Sequence, residues 1–202
     1  GGLLNIGVEG QLYIGALCAS VVGIYVKGLP TVLHIVLCMS AAMIGAAMWA
    51  FIPVILKIKV NTHEVVTALM LNYVATLLVD FATNYPMRDP DASTAQSMML
   101  ESSAQLPKLF ARSQVTIAII IGIVIAVLLG AFLRHTTMGY KIALVGGNSS
   151  AAAAAGINQN RIMIFTMLIS GACGGLAGAA LVMGTYGRLI KGFSTGYGFD
   201  GI

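Results

Sequence analysis

Two sets of polar residues recur at helical spacing within apolar stretches of the sequence. The first set is Asn5, Glu9 and Tyr13, which follow one another at four-residue intervals with Gln11 beside them. The second set repeats this spacing, with Ala68 at the position that lacks a polar group: Glu64, Asn72, Thr76 and Asp80. Residues four apart lie on one face of an α-helix, so each set forms a polar stripe. Amide, hydroxyl and carboxyl groups arranged in this way can hydrogen-bond an uncharged polar solute or carry a proton.

The composition indicates which solvent surrounds these stripes. Of the 202 residues, 58% are hydrophobic and 9% are charged, and the mean hydropathy is +0.91. A soluble domain carries roughly 25% charged residues, so the apolar surface of this chain must face lipid. The net charge of +4 is spread as single residues between long uncharged runs, which argues against a nucleic-acid-binding patch. The three cysteines all lie in apolar segments, and their odd number indicates no disulfide framework.

The apolar runs predict the fold class. A helix needs about 20 mostly apolar residues to cross a bilayer. Five runs meet this requirement, and we expect spans at 4–26, 29–55, 64–86, 114–133 and 162–186. The predicted fold is therefore an all-α, polytopic transmembrane helix bundle in which residues 1–202 form one domain. Because the sequence begins without Met and stops at Ile202, we expect a fragment that lacks flanking spans at the C-terminus and also at the N-terminus.

Lysine and arginine residues set the expected orientation of the spans, because they accumulate in cytoplasmic loops. The loop 134–161 contains Arg134, Lys141 and Arg161 with no acidic residue, and we expect it to be cytoplasmic. The loop 87–113 balances basic and acidic residues, including Arg112, and we expect it to face outward. The chain would then enter its first span from the cytoplasm.

The orientation leaves two interpretations of the polar stripes. An ionisable side chain inside a bilayer is costly unless it is paired or hydrated, so it is by default a functional candidate. In the first interpretation the stripes line a solute path, with four candidate residues: Asn5, Glu9, Asn72 and Thr76. In the second, Glu64 and Asp80 lie at the two membrane interfaces and Asn72 forms a hydrogen bond between helices. Glu9 fits either interpretation, as an interface residue or as a path residue.

The fifth predicted span carries a cluster of glycines. Gly171 with Gly175, and Gly174 with Gly178, form two overlapping GxxxG pairs. Such pairs let two helix backbones approach closely inside a membrane. We therefore expect these glycines to pack helices together and not to take part in chemistry.

Two motifs look catalytic but lack the context that catalysis needs. The run from Gly196 to Gly201 reads GxGxxG, yet no strand precedes it as a dinucleotide site requires. The zinc motif HExxH begins at His63, but Thr67 stands where the second histidine should be. No P-loop sequence is present, so the chain does not bind ATP through one. We therefore predict no catalytic residue, no metal site and no cofactor.

The cytoplasmic loop contains the most informative stretch. Asn148, Ser149 or Ser150 can cap a helix whose body is Ala151–Ala155, and Gly156 can end it. The helix would be short and would carry a surface of small side chains. It is either an ordinary solvated element or one that docks into a groove of a partner, and the alanine face favours docking.

This stretch resembles the permease subunits of ABC importers for nucleosides and simple sugars, which are related to branched-chain amino acid permeases. The family's loop reads approximately GxxxxAVGxNPxAAxxAGI, and the residues that match it are Gly139, Val145, Gly146, Asn148, Ala151, Ala152, Ala155, Gly156 and Ile157. The stretches 4–11, 64–73, 170–179 and 196–202 also resemble family signatures. These matches follow the family's order along nearly the whole chain.

The resemblance implies a multi-pass transport subunit of the cell membrane that is not itself an enzyme. ATP hydrolysis would reside on two cytoplasmic ABC ATPase subunits, and an extracytoplasmic binding protein would deliver the solute. The permease would pair with a second permease subunit, identical or paralogous, and transport by alternating access. The residues implied in coupling to the ATPase are Gly139, Asn148, Ala151, Ala152, Ala155 and Gly156. The stretches 4–11 and 64–73 favour nucleosides over ribose- or galactose-type sugars. A proton-coupled secondary transporter, working through Glu9 or Asp80, is the alternative from another class.

Overall fold

A computed structural model describes residues 5–109 and 115–201. Eight α-helices cover most of these two ranges, and no strand is formed there: α1 Val8–Tyr25, α2 Thr31–Val60, α3 Glu64–Asn84, α4 Ala118–His135, α5 Thr137–Gly147, α6 Ser149–Ala154, α7 Gln159–Ala180 and α8 Tyr197–Asp200. A π-helical turn, Leu181–Tyr186, extends α7. The predicted all-α fold is confirmed.

Five helices are long and apolar enough to cross a membrane: α1, α2, α3, α4 and α7 with its π-helical extension. Each overlaps one predicted span, but α1 begins at Val8 and α2 continues to Val60. Position 4 of the first predicted span, position 114 of the fourth and Arg112 of the predicted outer loop lie outside the described residues. The sequence did not predict α5, which directly follows α4.

The centre of the bundle is α1, which packs against α2, α3 and α7. Its side chains and those of its neighbours form the main apolar core: Leu12, Ile14, Ala16, Ala19, Cys38, Ala42, Ala75, Val79, Ala179 and Val182. By contrast, none of the residues of α4 is buried by the rest of the described chain. The elements that position polar side chains inside the bundle are therefore α1, α2, α3 and α7.

The loop 85–109 and the polypeptide after α7 close one end of the bundle, which we call the outer end. The backbone N–H of Glu101 donates to the carbonyl of Gly23 at 2.9 Å, and that of Leu106 donates to the carbonyl of Met183 at 2.9 Å. The helices α5 and α6 lie at the opposite, inner end. The helices thus alternate in direction as predicted, whereas the assignment of the inner end to the cytoplasm stays a prediction.

The helix α1 starts inside the bundle and not at its inner end. Its first turn contacts Asn72, eight residues into α3, and Asn5 contacts Ser170, eleven residues into α7. At 1.5 Å per residue these contacts lie about 12 Å and about 16 Å above the starts of α3 and α7. The first span of 4–26 is therefore represented by α1, whose first turn lies beside the middle of α3 and α7 and not beside their inner starts.

The predicted packing glycines of α7 lie against α1 and α2. A Cβ atom on Gly178 would overlap the carbonyl oxygen of Leu12, and one on Gly175 would overlap that of Ala42. A Cβ on Gly171 would lie 2.9 Å from the carbonyl oxygen of Ala46. Gly174 has more space, because its nearest neighbour would be Gln11 Cβ at 3.3 Å.

These contacts predict the effect of adding one methyl group. Gly178→Ala should lower the free energy of unfolding by about 1–3 kcal/mol, because the new Cβ meets backbone atoms that cannot rotate away. Gly122→Ala in α4 is the matched control, since a Cβ there meets nothing within 4 Å. Thermal unfolding of the two variants in detergent measures the difference. Equal unfolding temperatures would contradict the tight contact between α1 and α7.

Candidate functional site at the meeting of two helix starts

The first turn of α1 is held by the amide of Asn72. The backbone N–H of Gly10 donates to Asn72 Oδ1 at 2.9 Å, and Asn72 Nδ2 donates to the carbonyl of Ile6 at 3.0 Å. The Asn72 amide therefore stands between two backbone groups that an uninterrupted helix would pair with each other. Asn72 is buried, so both of its polar atoms are occupied inside the protein. We call these two hydrogen bonds the Asn72 clamp.

A second amide network lies beside the Asn72 clamp. Asn5 and Gln11 form a reciprocal pair, with Asn5 Nδ2 donating to Gln11 Oε1 at 2.9 Å and Gln11 Nε2 donating to Asn5 Oδ1 at 3.2 Å. Asn5 Nδ2 also donates to Ser170 Oγ of α7 at 2.8 Å. The network connects the segment before α1 to α7.

Glu9 receives two hydrogen bonds from the far end of the chain. Ser194 Oγ donates to Glu9 Oε1 at 2.6 Å, and the backbone N–H of Gly198, in α8, donates to Glu9 Oε2 at 2.7 Å. Glu9 is 7% exposed and lies in the first turn of α1, so its carboxylate is buried inside the bundle. Within the described ranges, neither lysine nor arginine forms a salt bridge with it. We call this meeting of the α1 and α8 starts the junction: Asn5, Glu9, Gln11, Asn72, Ser170, Ser194 and Gly198.

Above the junction, Tyr13 and Asp80 contact the polypeptide that follows the π-helical turn, which also supplies Ser194 and Gly198 to Glu9. Tyr13 Oη donates to the carbonyl of Ser194 at 3.1 Å, and its ring packs on Phe193 with centroids 4.8 Å apart. Asp80 Oδ2 pairs with Lys191 Nζ at 2.8 Å towards the outer end. At the inner end, Glu64 pairs with Lys57 of α2. Both carboxylates of the α3 stripe therefore form ion pairs.

The predicted path residues are thus brought close together, with the exception of Thr76. The Thr76 hydroxyl donates to the carbonyl of Asn72 in its own helix at 3.0 Å. Asn5, Glu9 and Asn72 share the junction, where each bonds to other parts of the protein. The junction carries amide and hydroxyl groups and one carboxylate that is already satisfied, so its chemistry suits an uncharged polar solute.

The structure adds residues that the sequence analysis missed. Ser170, Ser194 and Gly198 complete the junction, and Trp49 lies beside it with its indole N–H enclosed and without a partner among the described residues. A signal for Gly198 is present in the sequence: Gly7-Val8-Glu9-Gly10 and Gly198-Phe199-Asp200-Gly201 share the pattern of glycine, apolar, acidic and glycine. Each copy stands at one of the two helix starts.

At the inner end, the loop predicted to dock a partner forms two helices. Asn148 caps α6, since its Oδ1 accepts from the backbone N–H of Ala151 at 3.0 Å, and Gly156 follows the helix with φ +72°. The predicted short helix is confirmed, with Asn148 as its cap. Among the predicted coupling residues, Ala151, Ala155 and Gly156 are exposed, whereas Ala152 is fully buried.

Gly139 has a different place from the exposed coupling residues. It lies at the start of α5, where a Cβ would overlap the carbonyl of Leu133 at the end of α4. Its backbone N–H donates to Thr136 Oγ1 at 3.1 Å. Gly139 therefore fixes the angle between α4 and α5 and presents no side chain to a partner.

Among the described residues, no group of three or more His, Cys, Asp or Glu side chains could hold a metal ion. The hydrogen bonds that join α1, α3, α7 and α8 make the junction a polar packing site.

Comparison with known proteins identifies similar chains. The family model described as "Branched-chain amino acid transport system / permease component" matches residues 1–202. The guanosine ABC transporter permease protein of Bacillus subtilis is 36% identical over 207 residues, which cover 100% of this chain and 58% of that protein.

Two further relatives cover similar shares. The glucose ABC transporter permease protein of Haloferax volcanii is 33% identical, over 100% of this chain and 55% of its own length. A nucleoside ABC transporter permease protein of Lactococcus lactis is 31% identical, over 91% of this chain and 52% of its own length. The chain therefore spans little more than half the length of these relatives. No solved structure matches it.

The Asn72 clamp predicts that substitutions at Asn72 and at Thr76, both in α3, differ in their effect on stability. Asn72→Asp keeps an acceptor for the Gly10 N–H but places a second oxygen against the carbonyl of Ile6, so a buried donor is lost. We expect a loss of about 1–3 kcal/mol in the free energy of unfolding. Thr76→Val is the control, because the Thr76 hydroxyl bonds only within its own helix.

Thermal unfolding of both variants without any solute tests this prediction. Because no solute is present, a loss of stability at Asn72 reports the clamp itself. If Asn72→Asp and Thr76→Val unfolded at the same temperature as the unmodified protein, the clamp would not contribute to stability.

Proposed function

The chain belongs to the branched-chain amino acid transport system / permease component family, and we propose that its parent protein is the membrane-spanning subunit of an ATP-driven nucleoside importer. The observation that carries this proposal is the family match over residues 1–202, together with five helices that are able to span a membrane. The protein is accordingly a multi-pass protein of the cell membrane. We propose that residues 1–202 form one transmembrane domain of a longer permease.

Nucleosides are the proposed solutes. Two of the relatives bear the names of guanosine and nucleoside permeases. A nucleoside is polar and uncharged, so it needs hydrogen-bonding groups and no counter-charge. The junction matches this requirement in composition, because its polar groups are amides, hydroxyls and one carboxylate. These groups bond to one another here, so a solute would have to replace some of these bonds to contact them directly. Asn5, Glu9, Asn72 and Thr76 remain the proposed path residues. Because the first three already bond within the protein, we propose that they hold the helices around the path in place and do not bind the solute themselves.

A simple sugar is the second candidate solute. The relative from Haloferax volcanii is named a glucose permease and is 33% identical to this chain. A sugar is also uncharged and rich in hydroxyl groups, so the junction does not distinguish it from a nucleoside. A proton-coupled carrier is less well supported, because Asp80 is paired with Lys191 and both oxygens of Glu9 accept hydrogen bonds.

Two cytoplasmic ABC ATPase subunits are the proposed partners at the inner end. The exposed residues of α6 carry only small side chains, so this surface can enter a groove closely: Ser149, Ser150, Ala151, Ala153 and Ala154. Because α6 is short and capped at both ends, it would move as a rigid unit when the ATPase displaces it. Gly139 transmits such a displacement to α4 through α5, and the hydrogen bond from Gln159 Nε2 to the carbonyl of Ser149 transmits it to α7.

The remaining proposed partners complete an alternating-access importer. A second permease subunit, identical or paralogous, would share the membrane with this one. An extracytoplasmic binding protein would release solute at the outer end, above Lys191 and Asp80. ATP-driven closure of the ATPase pair would then tilt α4 and α7 and open the junction to one side at a time. The permease itself performs no hydrolysis in this proposal.

Transport by the full-length parent, reconstituted in vesicles with its own ATPase, tests the function. We expect ATP-dependent uptake of radiolabelled guanosine that an excess of unlabelled uridine or adenosine reduces and an excess of glucose does not. Uptake competed by glucose alone would move the assignment to a sugar importer. Uptake that needs no ATP and stops with an uncoupler would overturn the importer proposal.

The coupling role of α6 predicts a local effect of bulk and charge. Ala151→Arg should reduce solute uptake at least tenfold and prevent the ATPase from co-purifying, because the long side chain cannot enter a groove that fits alanine. Asn160→Arg is the control, since Asn160 is also exposed at the inner end but lies outside α6. Both variants should retain the unfolding temperature of the unmodified protein. Normal uptake by Ala151→Arg would remove α6 from the ATPase contact.

A further inference from the structure

Between the π-helical turn and α8, the chain turns back from the outer end into the middle of the bundle. We call residues 187–198 the returning segment. Up to Gly196 it forms no regular helix, and Gly192 and Gly196 adopt left-handed conformations with φ +66° and +106°. A Cβ on Gly192 would meet nothing within 4 Å, so neighbouring atoms do not confine this point. Residues 187–191 form backbone hydrogen bonds with the loop 95–100, whereas the part from Gly192 to α8 is held by side chains of other elements.

Three side chains of α1 and α3 hold the returning segment at three depths. Asp80 binds Lys191 near the outer end, Tyr13 donates to the carbonyl of Ser194, and Glu9 accepts from Ser194 and Gly198 at mid-depth. The outermost contact is partly open to solvent, because the Lys191 side chain is 57% exposed. The Glu9 contact differs from it because Glu9 and Ser194 are both buried, at 7% and 8% exposure.

The geometry at Glu9 leaves little freedom to rearrange. A Cβ on Gly198 would lie 2.6 Å from the backbone nitrogen of Glu9, so the two backbones are in direct contact. Ser194 Oγ also accepts from the backbone N–H groups of Gly196 and Tyr197, at 3.3 Å each. One carboxylate therefore organises Ser194, the turn after it and the start of α8.

We propose that Glu9 is a positioning residue, which holds the returning segment against α1 during transport and neither contacts the solute nor carries a proton. Its carboxylate acts as a double acceptor, one oxygen for a hydroxyl and one for a backbone N–H. Each oxygen therefore already accepts one hydrogen bond from the returning segment. The other titratable groups that hold this segment are Asp80 and Asp89, which pair with Lys191 and Arg188, and the hydroxyls of Tyr13 and Tyr186, which donate to the carbonyls of Ser194 and Phe193.

Hydrogen exchange of the full-length protein in lipid nanodiscs tests the anchor directly. Glu9→Gln keeps one acceptor oxygen but places an amide N–H₂ against a donor. We expect amide exchange in peptides covering 187–201 to become at least tenfold faster, with no change in peptides from α2. Glu64→Gln is the control, because it removes a carboxylate from the Lys57 pair at the inner end and should leave 187–201 unchanged.

A second variant keeps the test decisive if Glu9→Gln fails to fold. Ser194→Ala removes the other half of the contact and should accelerate the same peptides. In the double variant, amide exchange in these peptides should be less than twofold faster than in the faster single variant, because both substitutions act on one contact. Unchanged exchange at 187–201 in Ser194→Ala and in any folded Glu9→Gln would overturn the anchor.

A transport measurement, which rests on the proposed importer function, distinguishes a positioning role of Glu9 from solute or proton binding. In Glu9→Gln, we expect the maximal uptake rate to fall at least fivefold while KM for guanosine stays within twofold and the shape of the pH profile between 6 and 8 is unchanged. A tenfold rise in KM, or loss of the pH dependence, would overturn the positioning role. If the unmodified protein moved no nucleoside, the exchange measurement would still decide the anchor, and only the importer proposal would fail.

Discussion

A helix that begins inside a membrane exposes backbone N–H groups where no water can satisfy them, and the structure is arranged around this constraint. The helix α1 begins at mid-depth, and Asn72 of α3 accepts from one of its first N–H groups. The helix α8 begins nearby, and Glu9 of α1 accepts from the N–H of Gly198. Each of these two helix starts is thus capped by a side chain from a neighbouring helix: α3 caps α1, and α1 caps α8.

Capping from a neighbour works only if the helices lie very close together, which explains the glycines of α7. Gly178 and Gly175 bring the backbone of α7 against those of α1 and α2, where a methyl group would overlap carbonyl oxygens. This approach carries Ser170 to within 2.8 Å of Asn5, a residue that precedes α1. Polar contacts and close packing are therefore two consequences of the same short distance between helices.

The sequence predicted the number of spans, the short helix α6 and the family, because apolar run length and capping residues are local signals. Asn148, which caps α6, was one of three candidate caps. It did not predict the depth at which α1 begins, since helical periodicity defines the face of a residue but not its height in the bilayer. The contact between Glu9 and Gly198 joins residues 189 positions apart and has no local signature beyond the repeated glycine–apolar–acidic–glycine pattern. The helix α5 was missed because Gly139, Gly146 and Gly147 suggest a loop, whereas Thr136 caps the helix.

Polar residues inside a membrane are commonly assigned to a transport path, but at this junction most of them hold helix starts in place. In the proposed importer such a role still connects them with transport, because α7 reaches from the inner end to the junction. At its inner end Asn158 caps α7 next to α6, and at mid-depth Ser170 bonds to Asn5. A displacement of α6 that shifts α7 along its axis must therefore strain the Asn5 network first. A displacement of the inner end reaches the buried start of α1 at the junction, so the hydrogen bonds there determine whether α1 moves with α7.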